Sequence, residues 1–146
     1  MRSEDRGETL IELLVAMAIL GVALVAIVGA FGASITMSDV HRKQASAGAA
    51  VRNYAELVSN YVAGTGYSSC AAASAYAAGT VGYTAPTGYA ASPVSIKYWT
   101  GSAWSASCAS DSGLQQLTLS VSSTDTRAVE RLVLVLRKPC GAGSTC

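Results

Sequence analysis

The sequence predicts an α+β fold: one long N-terminal helix, half of it able to occupy a membrane, packed on a small antiparallel sheet of three or four strands. Three observations carry that expectation. No residue from Leu13 to Ala33 is charged. Apolar residues then recur at helical spacing to about residue 63, and two hairpin patterns follow residue 92. A chain of 146 residues has room for one core plus one long appended element.

Residues 1–7, Met1-Arg-Ser-Glu-Asp-Arg-Gly7, form a short hydrophilic leader whose Arg2 and Arg6 suit the cytoplasmic side of a membrane. About twenty apolar residues in a helix span a hydrocarbon core of about 30 Å, so residues 8–33 are the expected membrane segment. Glu12 interrupts this logic. A carboxylate at the centre of a membrane helix costs roughly 2.5–3.5 kcal/mol, and less near its end. Its helical neighbours Glu8, Thr9, Val15 and Ala16 include no base, so its partner must come from outside the segment. Removal of residues 1–7 would create an α-ammonium on Glu8. Glu12 of one copy could then pair with the N-terminus of an adjacent copy and set the register of helices in an apolar bundle.

The string Gly7-Glu-Thr-Leu-Ile-Glu-Leu-Leu14, followed by Val-Ala-Met-Ala-Ile-Leu-Gly21, closely resembles the N-terminal signal of type IV pilins and type II secretion pseudopilins. The resemblance implies that a membrane prepilin peptidase cuts after Gly7 and methylates the new N-terminus on Glu8. It implies assembly determinants at Glu8, Thr9, Leu10, Ile11 and Glu12. The implied partners are further copies of the chain and related pilins, the peptidase, the inner-membrane assembly machinery, and the membrane before assembly. The implied locations are the cytoplasmic membrane first and an extracellular filament after processing. The family usually has phenylalanine at the first mature position, where this chain has Glu8, and many members have proline where this chain has Gly29. Small residues such as Ala16, Gly21, Ala26 and Gly32 allow helices to approach closely. A conventional secretory signal has an apolar core of about 7–15 residues, and this run is longer. The passable cut site Ala30-Phe31-Gly32 belongs to that rival reading. A plain transmembrane anchor explains the length but not Glu12.

Beyond the membrane segment, Val51, Tyr54, Leu57, Val58, Tyr61 and Val62 recur at steps of three and four. The helix is therefore expected over 8–63, ending where Gly64 and Gly66 offer a flexible C-terminal stop. Residues 64–92 are rich in Gly, Ala, Ser, Thr and Tyr without a regular period and read as a surface loop. Their tyrosines are expected to pack over the sheet edge, with adhesion as a minority role.

Residues 93–146 are the expected sheet region, closing on a Cys-bounded loop. Val94, Ile96 and Tyr98 alternate with polar residues, and Thr100-Gly101 turns toward Trp104. Leu117, Leu119 and Val121 alternate likewise. The chain then turns at 123–126 and returns over 129–137, where the continuous apolar run Leu132–Leu136 predicts a more buried strand.

Cys70, Cys108, Cys140 and Cys146 lack metal-binding spacing and read as two disulfides in an exported domain. Three connectivities are open. Cys70 with Cys108 and Cys140 with Cys146 is preferred, because the Gly-containing segment between the last two bends easily; Cys108 with Cys140 competes. No cofactor or metal is expected. His41 lies among Arg42, Lys43 and Gln44 on the helix surface, and Asp111 and Asp125 sit in turn-like segments, too sparse for a calcium site. A nucleophilic triad or phosphate loop is not legible, which argues against an enzyme. The net charge of +1 argues against nucleic acid. The expected function is a structural filament subunit; the alternative is a monomeric, membrane-anchored or secreted surface-binding domain.

Overall fold

The computed structural model describes residues 9–140. Helix α1 runs from Leu10 to Tyr61, followed by a π-type turn over Val62–Gly66. Strands β1 (Tyr89–Trp99), β2 (Trp104–Ser105), β3 (Leu114–Ser123) and β4 (Val129–Arg137) form one antiparallel sheet in the order β2-β1-β3-β4. The fold is α+β, with the C-terminal part of α1 on the sheet. The chain divides into two units, residues 1–39 and 40–146.

In the first unit α1 is an exposed apolar rod. Its large side chains from Leu10 to Met37 are exposed, Leu10 by 76% and Val25 by 75%. It is long and apolar enough to cross a membrane. The helix continues unbroken through Gly21, Gly29 and Gly32. Thr36 returns its hydroxyl to the Gly32 carbonyl at 3.1 Å, so even this hydroxyl is internally satisfied, as an apolar surrounding requires.

In the second unit the three- and four-residue spacing does its expected job. Ala47, Ala50, Val51, Tyr54, Val58 and Val62 are buried against Leu117, Leu119 and Val121 of β3. The two periods meet: one stripe of a helix faces one face of a strand. The helix stops at Gly64, whose ψ of −109° is non-helical. Gly66 has a steric reason as well, since a Cβ there would overlap the Tyr61 ring.

The sheet departs from the sequence expectation in two places. Strand β4 is not the more buried one. It lies at the sheet edge, and its residues alternate between exposed and half-buried apart from the buried Leu136, with Val133 and Val135 more than half exposed. The central place goes to β3, paired on both sides. A continuous apolar run does not distinguish an edge strand from a central one, because only the strand order decides what covers each face. The first long strand also begins at Tyr89, earlier than the expected boundary. Its register with β3 slips by one residue between Pro93 and Ser95. Proline donates no ladder hydrogen bond and is tolerated beside such a bulge.

Residues 64–92 are the larger correction. They include a 3-10 turn at Ala73–Tyr76, and they place Ala71, Tyr76, Val81 and Tyr83 in the core. The tyrosines do not lie loosely over an edge. The Tyr54 and Tyr83 rings stack with centroids 4.8 Å apart and planes at 14°, and the Tyr83 hydroxyl donates to the Ala50 carbonyl at 3.1 Å.

Candidate functional site

The sequence singled out the helix start. Gly7 and Glu8 lie outside the described residues, as does Cys146. Of the remainder, the Thr9 carbonyl accepts the Glu12 N–H at 2.9 Å and the Leu13 N–H at 3.3 Å, opening the helix. Leu10 and Ile11 are exposed by 76% and 69%. Glu12 stands in the first turn and is exposed. A carboxylate is favoured there by the unpaired N–H groups of the helix start. Among the described residues no cation pairs with it. A single copy thus presents an apolar helix carrying one acid near its tip.

The second unit is braced by polar groups that the sequence did not reveal. Asp111 is the hub. Its Oδ1 accepts from the Tyr67 hydroxyl at 2.7 Å and the Gly113 N–H at 2.6 Å. Its Oδ2 accepts from the Cys70 N–H at 2.9 Å and Gln115 Nε2 at 2.7 Å. Burial works to raise this carboxyl, but the four hydrogen bonds, the Cys70 N–H foremost, outweigh it and hold Asp111 below the usual carboxylate range. Cys70 itself has φ of +54°, a left-handed conformation uncommon for a side-chain-bearing residue. The Asp111 bond and the disulfide to Cys108 hold it in place.

The Cys70–Cys108 pairing is the one the sequence favours, and it excludes the competing Cys108–Cys140 bond. Cys140 is itself disulfide-bonded; the pairing expected for it involves Cys146 and lies outside the described residues.

A second hub joins the sheet to the helix. Asp125, in the β3–β4 turn, accepts from Lys43 Nζ at 2.6 Å and from the Ser123 hydroxyl at 2.6 Å, and Arg127 lies 3.7 Å away. The Lys43 hydrogen bond keeps its carboxyl far below the ordinary range. Both aspartates occupy turns, as expected, but each also ties distant segments together. Neither joins a cluster of three metal-binding side chains, and no such cluster exists among the described residues.

Buried tyrosines complete the bracing. Tyr76 donates to Gln115 Oε1 at 2.9 Å, and Gln115 Nε2 donates to the Ser68 carbonyl at 2.8 Å. Tyr98 reaches the Ala71 carbonyl at 2.7 Å. Burial raises the Tyr54 hydroxyl to about 12, with the neighbouring Tyr83 adding to it. These hydroxyls serve as hydrogen-bond donors between distant segments.

Helix and module together define a class: a membrane-capable N-terminal helix bearing a disulfide-braced sheet domain. Residues 2–28 match the family model described as the prokaryotic N-terminal methylation motif, the prepilin-type motif of type IV pilins and pseudopilins. No curated protein matches the chain, and no solved structure does. The motif points to a structural class of proteins. With the apolar helix it fits anchoring in a membrane before assembly.

Proposed function

We propose that the chain is a structural subunit of a type IV pilus or a pseudopilus-like extracellular filament, processed after Gly7 and assembled through α1. The observation that supports this most is the coincidence of the motif at residues 2–28 with a helix exposed along its whole first half. Exposed leucines and valines on every side of a rod need an apolar surrounding. A membrane supplies it before assembly, and neighbouring helices of the same kind supply it afterwards.

In this reading prepilin peptidase removes residues 1–7 and leaves an α-ammonium on Glu8. Glu12 then faces two environments. In the membrane it sits near the end of the apolar segment, where water and head groups remain in reach. In the filament it pairs with the N-terminus of a neighbouring copy, since two charges within an apolar bundle must find each other. Thr9, Leu10 and Ile11 pack around that contact. Glu8 brings a second carboxylate to the same end, beside its own amine. At Gly21, Gly29 and Gly32 an added Cβ would meet nothing within 4 Å in the single copy, so these positions are free to receive a neighbouring backbone. In this reading the activity of the protein is assembly.

The test is the mature N-terminus, read by mass spectrometry on material sheared from the cell surface and on membranes separately. A start at Glu8 in the sheared fraction supports processing and filament export. Intact Met1 confined to membranes, or a start at Ala33, would leave a monomeric anchored or secreted binding domain instead.

A further inference from the structure

The net charge of +1 conceals an uneven distribution. Residues 1–39 carry two arginines against five acids, for −3, whereas residues 40–146 carry eight Lys and Arg against four Asp and Glu, for +4. In the second unit the acids are mostly occupied or elsewhere. Asp111 serves the Tyr67–Cys70–Gln115 hub, Asp125 serves Lys43, Glu56 is on α1, and Glu130 alternates to the helix-facing side of β4.

The sheet face away from α1 is therefore cationic. Tyr98, Leu117, Leu119 and Leu136 are buried toward the helix, so the alternate residues point outward. The register sets Lys97 opposite Gln116 and Gln116 opposite Val135, in one row across three strands. Continuing that register, the next row runs from Trp104 through Trp99 and Leu114 to Arg137. Further along β4, Arg131 lies opposite Ser120, which is opposite Ser92. Every charged side chain on this face is a base, and no ion pair among the described residues occupies Lys97, Arg131 or Arg137. Strand spacings put Lys97 about 12 Å from Arg137 and about 17 Å from Arg131. The two indole rings, half-buried with centroids 5.3 Å apart, form an apolar platform at one end.

We infer that this outward sheet face docks an acidic polysaccharide, its carboxylates meeting Lys97 and Arg137 and a sugar ring lying on the Trp99–Trp104 platform. Charge complementarity selects an anionic partner. The rest of the surface selects its class. Three bases spread over about 20 Å neutralise too few phosphates to hold a nucleic acid by counterion release, whereas between them Gln116, Thr118 and Ser120 offer amide and hydroxyl partners and the exposed Val133 and Val135 offer apolar contact, a mixture suited to sugar rings with hydroxyl edges and C–H faces. Guanidinium and carboxylate match as a two-pronged pair at Arg137. The inference is independent of filament assembly, because it uses only residues of the sheet.

The experiment is binding of the full-length chain in neutral detergent micelles to alginate, a uronate polymer, with dextran as the uncharged comparison and oligo-dT as the nucleic acid. The expected result is retention on alginate but not on dextran, falling as salt rises. Lys97→Gln with Arg137→Gln should weaken it about tenfold, and Trp104→Ala should weaken it at low and high salt alike. Arg127→Gln, in the β3–β4 turn, should bind as the parent does. Circular dichroism and an intact Cys70–Cys108 bond confirm that each variant is folded. Alginate binding no stronger than dextran binding, or unchanged in the folded double variant, would overturn the inference; so would tighter binding to oligo-dT than to alginate.

Discussion

The Tyr54 hydroxyl donates a 2.7 Å hydrogen bond to the carbonyl of Tyr76, joining the C-terminal part of α1 to a segment 22 residues further along the chain. Both side chains are fully buried. Tyr76 passes the connection on to Gln115 in β3 at 2.9 Å. Helix, connecting segment and central strand are thus linked through groups that have no access to water, and this makes each link costly to remove.

Tyr54→Phe should accordingly destabilise the module by about 1–3 kcal/mol, the usual cost of leaving a buried acceptor unsatisfied. The ring stack on Tyr83 would survive, so the loss isolates the hydroxyl. Denaturant unfolding of the full-length protein checks this; a midpoint equal to the parent's would show that water or another donor replaces the hydroxyl.

Asp111 predicts a response to acid. Its folded carboxyl lies below its ordinary value, so the stability it contributes is fully present above the unfolded value of about 3.9 and is lost as pH falls through the folded value. Asp125, held low by Lys43, acts in the same direction. Thermal unfolding followed downward from pH of about 5 should show falling stability, with a shallower fall in Asp111→Asn. An identical slope in that variant would remove Asp111 from the account.

The Cys70–Cys108 bond closes a separation of 38 residues, for which chain entropy gives about 4 kcal/mol, strain apart. Replacing both cysteines by serine should lower the unfolding midpoint strongly and expose the 64–88 segment to protease before the helix. Unaltered protease sensitivity would mean that Asp111 and the tyrosines hold this segment without the bond.

Glu12→Ala should leave membrane insertion intact, or improve it, while reducing recovery of the chain in sheared surface filaments severalfold. Membrane and sheared fractions are compared by immunoblot. Normal incorporation would dismiss the charge pairing between copies.

Gly7→Leu should leave the full-length precursor in the membrane, detected as an uncut species by intact-mass measurement. Efficient release of a chain starting at Glu8 from that variant would place recognition elsewhere in the leader.

Much of this was legible in the sequence, for identifiable reasons. The helix was readable because an uncharged run and a three-four apolar repeat are both local patterns. Strand β3 was readable because it is half-buried in the simplest way, with Leu117, Leu119 and Val121 inward and Thr118 and Ser120 outward. The segment before β1 was not. Tyr76 and Tyr83 stand in an Ala- and Gly-rich stretch without period, and irregular backbone enters a core only where distant partners satisfy it, here the Tyr54 hydroxyl at the Tyr76 carbonyl and Gln115 Nε2 at the Ser68 carbonyl. The Asp111 hub was hidden for the same reason, since its four donors come from residues 67 to 115.

Local spacing along the chain was enough to specify the helix, the prepilin-type signal and the antiparallel hairpins, because each depends on residues close together in sequence. It took the folded arrangement to establish that β4 is an edge, that Cys70 pairs with Cys108, and that the module's bases share the sheet face away from the helix. Those properties depend on strand order and on which side each alternating residue faces. Neither is set by local spacing, and both belong to an arrangement that buries the apolar stripe of α1 against β3 while giving every buried polar side chain among the described residues a partner.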